Sequence, residues 1–350
     1  MASLLERPLV RMPHFGRGAW LNTTHPLTRE SLRGRPVLVD FWDYSCINCV
    51  RSLPYLRAWH ERYHRHGLVI VGVHTPEFRF GVAQGAVNSA IARFELPYPV
   101  LLDNDEETWQ RFANKAWPTR YLIDADGYIR LRRQGEGYYP GIEAAIQELL
   151  RAQNPALRLP PLLEPLHPVD EPGAACYPAT PELYGGYQGG GLFGSALGNP
   201  EGYAREGSIL YRLPEEREPG QFYLEGFWQS GPEMLTHGGH DGQIVVPYEG
   251  AGANAVLSPS GDNVALLLGL WGDAPLRVEL LEDGRPLRPD TAGPDVTFDD
   301  AGCAWLHVDE PRLYALTRHR THGRRELALI VRDPGLSLYT LTFERCVADD

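Results

Sequence analysis

The chain has 350 residues, 43% apolar and 22% charged, an ordinary globular composition at about twice the length of one core. A lone small module and a disordered chain are therefore excluded, and two domains are expected. Net charge is −12, divided as 19 basic against 16 acidic residues over 1–151 and 14 against 29 over 152–350. The acidic second half repels phosphate backbones and the first half has no concentrated basic stripe, so nucleic-acid binding is not expected.

In chain order, the first twenty residues carry Glu6, Arg7, Arg11 and Arg17 and offer no apolar signal region. The longest apolar runs, 37–42, 68–73 and 264–271, fall far short of the ~20 residues that span a bilayer. No membrane span is expected, and the cytoplasm is the expected compartment unless a leader was trimmed. Short β-branched runs at 37–42 and 68–73 flank a polar-apolar stretch at 50–66, which predicts a strand-helix-strand unit with buried parallel strands. A helix over 82–94, a strand over 98–102 and a short helix over 106–113 follow. Runs at 121–123 and 129–132 flank Asp126-Gly127, a strong hairpin signal, and a helix over 141–151 closes an α/β unit with one antiparallel edge.

Residues 152–179 hold seven prolines and no period, which predicts an extended linker. Beyond it come a glycine-rich stretch, 185–194, and short alternating runs at 208–213, 222–228, 243–248, 263–268, 276–281, 304–308, 313–318, 326–331 and 337–343. Nine strands without a helix predict an all-β sandwich of the jelly-roll kind. The expected organisation is an α/β domain over 1–151, a linker over 152–179 and a β-sandwich over 180–350.

Five cysteines are too few for a disulfide scaffold. Two of them, Cys46 and Cys49, follow the buried run 37–42 three residues apart, while Cys176, Cys303 and Cys346 stand singly, so cysteine here is expected to serve chemistry and not stapling. In a first helical turn the two sulfurs can approach bonding distance, and unpaired N–H groups converge on the first. Those donors favour a thiolate, so Cys46 is expected to ionise more readily than a free thiol and to attack, with Cys49 resolving. A zinc site needs a second ligand pair, which the sequence lacks. His60 and His64, four apart among charged neighbours, read as a solvated helix face. No metal and no cofactor is expected.

Val-Leu-Val-Asp-Phe-Trp running into Cys46-Ile-Asn-Cys49, Pro54 five residues later and Trp117-Pro118-Thr119 before a strand resemble the thioredoxin family. The segments 44–55 and 73–78 resemble the soluble part of DipZ-type proteins, in which a carbohydrate-binding-module-like β-sandwich follows; 180–184, 311–314 and 333–335 resemble that sandwich. The resemblance implies an α/β thioredoxin-like domain with a central mixed sheet, a cis Pro118 and a strand-like docking of substrate on Trp117. It also implies that Asp40, on an otherwise apolar strand, shuttles a proton to or from Cys49. Two departures stand out: the membrane electron-transfer domain of DipZ-type proteins is not seen, and Tyr44 and Ile47-Asn48 replace the Trp and Gly-Pro of the thioredoxin loop.

Trp42, Tyr44 and Trp117 are read as rimming the dithiol and meeting substrate, with Asn48 bonding its own loop backbone. His74 reads as structural. Trp228, Trp271 and Trp305 are candidates for stacking on sugar rings. The function expected is thiol–disulfide exchange with protein or peptide substrates, in the reducing direction, supplied by an electron-donor protein. A redox-inert adaptor or glycan binder acting through the β-sandwich, and a copper chaperone, are the alternatives. A peroxiredoxin would show Pro and Thr or Ser where Val39 and Asp43 stand.

Overall fold

The computed structural model describes residues 5–189, 196–259 and 275–347, in two compact units, Met1–Leu166 and His167–Asp350. In the first unit six strands, β1 (Trp20–Leu21), β2 (Val37–Trp42), β3 (Val69–His74), β4 (Val100–Leu102), β5 (Thr119–Ile123) and β6 (Ile129–Gln134), form one sheet in the order β1-β4-β3-β2-β5-β6. The central β2, β3 and β4 run parallel, and β1, β5 and β6 pair antiparallel. The helices are α1 (Arg29–Leu32), α2 (Ile47–Tyr63), α3 (Gln84–Arg93), α4 (Glu107–Arg111) and α5 (Tyr139–Gln153). The expected strand-helix-strand unit and the hairpin at Asp126-Gly127 are present, and Gly127 takes φ +87° in that turn, a conformation open to glycine at no steric cost.

The sheet has two chemically different faces because strand side chains alternate. Val37, Val39, Phe41, Val71, Val73, Tyr121 and Ile123 share one apolar cluster. The intervening positions put Asp40, Trp42, Gly72, His74 and Arg120 on the opposite face, where Asp40 and Arg120 are 1% and 2% exposed. A buried carboxylate and a buried guanidinium on one sheet face are costly unless paired.

The Pro-rich segment is not a free spacer. Its first part lies along the first unit, where the Leu163 N–H donates to Glu143, the Leu166 N–H donates to the Tyr55 hydroxyl and Gln147 donates to the Pro160 carbonyl. Extended, proline-rich backbone cannot bond to itself, so buried side-chain acceptors and donors satisfy it.

The second unit is built from β7 (Ala175–Cys176), β8 (Leu183–Tyr184), β9 (Ser208–Tyr211), β10 (Tyr223–Ser230), β11 (Leu235–His237), β12 (Gly242–Ser258), β13 (Leu276–Glu282), β14 (Arg285–Pro286), β15 (Val296–Phe298), β16 (Ala304–Val308), β17 (Arg312–Val331), β18 (Ser337–Glu344) and β19 (Cys346–Val347). Every ladder between them is antiparallel. The all-β expectation holds, with one change of plan: 313–318 and 326–331 are two halves of a single 20-residue strand, β17, paired along the 17-residue β12. The pair shifts register between Gly250 and Gly252. A Cβ at Gly252 would meet the Thr317 carbonyl oxygen at 2.6 Å, so glycine at this position permits a close approach within a long, irregular strand. One core, including Tyr211, Trp228, Ile244, Val246, Leu280, Leu306, Leu329 and Leu341, underlies these strands. The strand expected at 263–268, Trp271 and part of the glycine-rich stretch lie outside the described residues.

The expectation about single cysteines is overturned here. Cys176 and Cys346 form a disulfide across the two-residue β7–β19 ladder. Their separation of 170 residues hides the pairing from any reading by spacing. Residues 175–177, assigned by sequence to the linker, are thereby tied to the end of the second unit.

Candidate active site

Strand β2 ends at Trp42 and the chain turns through Asp43–Cys46 into α2. Cys46 is the N-cap of that helix: its backbone is extended and its sulfur accepts the Cys49 N–H at 3.3 Å. A helix start leaves N–H groups without intrahelical acceptors, and a sulfur at the cap takes one of them. Both thiols are free; Cys46 is partly exposed and Cys49 is buried at 1%. Only Cys46 can meet a sulfur from outside, and Cys49 can reach only Cys46's side of the site.

The second element of the site arrives across the sheet. Phe41 pairs with Thr119, so the segment before β5 lies at the sheet end where β2 runs into the dithiol turn. There the Trp117–Pro118 peptide is cis. The Trp117 indole N–H donates to the Thr75 carbonyl at 3.0 Å, and its ring lies 4.4 Å from that of Trp109.

The charges around the sulfurs differ from the sequence expectation. Burial pushes the Cys46 thiol up from its ordinary value; bonding to Cys49 opposes this, but the Glu77 and Asp43 carboxylates add to the rise. Burial pushes Cys49 well up, and the Asp40 carboxylate adds to it. The expected acidified Cys46 is therefore corrected: bonding to the backbone and side chain of Cys49 does not outweigh desolvation and two acidic neighbours. Asp43 is a hub of this turn. It accepts from the Ser45 N–H at 2.6 Å, from the Ser45 hydroxyl and from the Glu77 N–H at 3.1 Å, and lies 3.5 Å from His74 Nε2. Burial pushes the His74 imidazole down, against the pull of Asp43.

Asp40 is buried as the resemblance implies, and desolvation raises its carboxyl to about 6, partly offset by Arg120. The Arg120 Nε–H donates to Asp40 Oδ1 at 3.1 Å. This partner was missed in the sequence, although an arginine beside the apolar run 121–123, two residues after Pro118, was a signal that a buried acid had found a cation.

Two other readings change. Trp42 and Tyr44, expected to meet substrate, are 0% and 1% exposed and enclose His74 instead, Tyr44 stacked at 5.4 Å and Trp42 edge-on at 5.3 Å between centroids. Large rings following a buried strand complete the core before they can form a rim. Asn48 lies within α2 and accepts from Arg51, which in turn forms a two-pronged pair with Glu136, so it does not close a loop of its own. In the second unit Trp228 is fully buried and offers no face to a sugar, while Trp305 is partly buried with Arg277 4.0 Å above one face of its ring. No helix among the described residues is long and apolar enough to cross a membrane.

Residues 12–132 match the AhpC/TSA family and residues 180–343 match the thioredoxin like C-terminal domain. The chain is 34% identical over 290 residues to Protein DipZ of Mycobacterium tuberculosis, covering 81% of this chain and 38% of that protein, and so spans well under half of that relative's length. It is 29% identical over 147 residues to the thiol-disulfide oxidoreductase YkuV of Bacillus subtilis, covering 42% of this chain and 96% of that protein. The solution structure of a thioredoxin-like protein in the oxidized form is 28% identical and covers 41% of this chain and 95% of its own, with a TM-score of 0.38.

Proposed function

We propose that this chain is a thiol–disulfide oxidoreductase of the thioredoxin-like kind that reduces disulfides of protein or peptide substrates through Cys46 and Cys49, a reading supported by its similarity to DipZ and YkuV. Cys46, as thiolate, attacks one substrate sulfur; the substrate S–S bond breaks, its other sulfur leaves and takes a proton, and Cys46 is held in a mixed disulfide. Cys49 then loses its proton to Asp40 and attacks Cys46. The second substrate thiol is released, Cys46–Cys49 is left oxidised, and two electrons have passed to the substrate. An electron-donor protein returns the dithiol. Trp117 and Pro118 are assigned to the docking of an extended substrate segment.

The observation that carries the reducing direction is the charge around Cys46. A strongly oxidising couple owes its potential to a stabilised thiolate in the reduced form. Here burial, Glu77 and Asp43 all disfavour that thiolate. The couple is therefore expected on the reducing side of such an oxidant. The Cys176–Cys346 disulfide favours an oxidising compartment outside the cytoplasm over the cytoplasm first expected. In that setting the donor must carry electrons in from elsewhere.

Insulin-disulfide reduction by the wild type and by Cys46→Ala tests the activity, and equilibration with glutathione tests the direction. Equal turnover by the two proteins would sink the first, and a potential near the about −120 mV of a strong oxidant would sink the second.

A further inference from the structure

We propose that Arg120 is a positioning residue of the dithiol, holding Asp40 as the carboxylate that takes the Cys49 proton. The inference rests on the reading of Cys46 and Cys49 as a redox pair and adds the group that makes the acceptor usable.

Asp40 on β2 has two cross-strand neighbours, Gly72 on β3 and Arg120 on β5. Gly72 brings no side chain, and a Cβ there would be crowded, lying 3.0 Å from Trp42 Nε1 and 3.3 Å from the Tyr98 ring. Compensation of Asp40 on this face is thus left to β5. Arg120 supplies it from full burial, with Nε–H donating to Oδ1 at 3.1 Å and both side chains 1% exposed. The guanidinium is itself fixed, Nη1 donating to the Gly135 carbonyl at 3.4 Å and Cζ lying 5.7 Å from the centre of the Tyr139 ring on α5. Its Nη2 is buried and makes no hydrogen bond to the described residues.

The groups that bear on Asp40 are few. Cys49 on α2 is the thiol whose proton it would take, Tyr98 ahead of β4 is a phenol that burial keeps protonated, and Arg120 is the cation beside it. A carboxylate in such surroundings ionises more readily with a fixed positive charge close by, and removing that charge raises its pKa by about 1–3 units. Arg120 lies two residues after Pro118, so the strand that carries the substrate-docking turn also carries the charge that readies the resolving thiol.

In the step concerned, the Cys49 S–H bond breaks with its proton going to the Asp40 carboxylate. The Cys49–Cys46 S–S bond forms as the Cys46 bond to the departing thiol breaks. No external oxidant is needed, because the mixed disulfide already carries the oxidising equivalent.

The test uses the full chain with Cys303→Ser, oxidised glutathione as the disulfide probe, and quenched alkylation to follow decay of the glutathione–Cys46 mixed disulfide between pH 5 and 9. In the Arg120 protein the rate is expected to rise across about pH 6, the carboxyl range of Asp40. With Arg120→Met the midpoint is expected to move up by about 1–3 units. Arg120→Lys is expected to retain the cation and shift it by less, and it serves as the reporter if the methionine variant does not fold. Asp40→Asn is expected to abolish the rise, after which adding Arg120→Met changes nothing further in the profile. Superimposable profiles for Arg120 and the folded substituted proteins, or an equal Arg120 effect with Asp40→Asn present, overturn the assignment. A wild type that never forms the Cys46–Cys49 disulfide overturns the redox reading itself, and this proposal with it; an active wild type with an unmoved midpoint overturns Arg120 alone.

Discussion

The chain holds two cysteine pairs made in opposite ways. Cys46 and Cys49 are three residues apart at a helix start, free, and set among Asp40, Asp43 and Glu77. Cys176 and Cys346 are 170 residues apart, bonded, and joined across a two-residue ladder. Closing a four-residue turn removes little chain entropy, so the first pair is free to exist in either redox state and its environment sets the chemistry. Closing a long loop removes much more, so the second pair acts chiefly on stability.

Four changes would break or sharpen this contrast. The largest effect is expected from Cys46→Ser, which should cut insulin-disulfide reduction to background while leaving the second unit's unfolding unchanged; residual turnover near wild type would show that the dithiol is not the redox centre. Next, Cys346→Ser should destabilise the second unit by up to about 5 kcal/mol on the loop-entropy account. Calorimetry should show that loss in the second unit while disulfide turnover persists; a coupled loss of turnover would mean that the two pairs are not independent.

The third change concerns Asp40, whose carboxyl is raised from 3.8 to about 6 by burial. A carboxyl with a raised folded-state pKa favours the folded state when protonated, so that contribution is present below about 4 and is lost as pH rises to about 6, a change of about 3 kcal/mol. Denaturant titrations should therefore find Asp40→Asn gaining on wild type between those pH values and level above them. A constant difference across that window would mean that Asp40 is not desolvated. The smallest effect is expected from Glu77→Gln. Removing one carboxylate near Cys46 should lower the pH midpoint of its alkylation by iodoacetamide by less than about one unit; a midpoint that stays put or rises would remove the charge argument for the reducing direction.

Much of the first unit was legible because its signals are local. Apolar runs at 37–42 and 68–73, the Asp126-Gly127 turn and the dithiol spacing each specify geometry over a few residues, and the structure places strands and a hairpin there. Errors arose where a partner came from far along the chain. Trp42 and Tyr44 looked like a rim because their sequence neighbours are the cysteines, yet His74 from the next strand draws them inward. In the second unit 313–318 and 326–331 read as two strands, whereas pairing along β12 joins them into one.

By itself the sequence determined an α/β unit with a dithiol at the end of a buried strand, followed by an all-β unit. Those features follow from periodicity and from contacts within one helical turn. The tertiary structure alone decided that Arg120 faces Asp40, that Asp43 and Glu77 oppose ionisation of Cys46, and that Cys176 meets Cys346. Electrostatic energy and bond formation depend on distance in space, and strand register sets that distance between residues up to 170 positions apart.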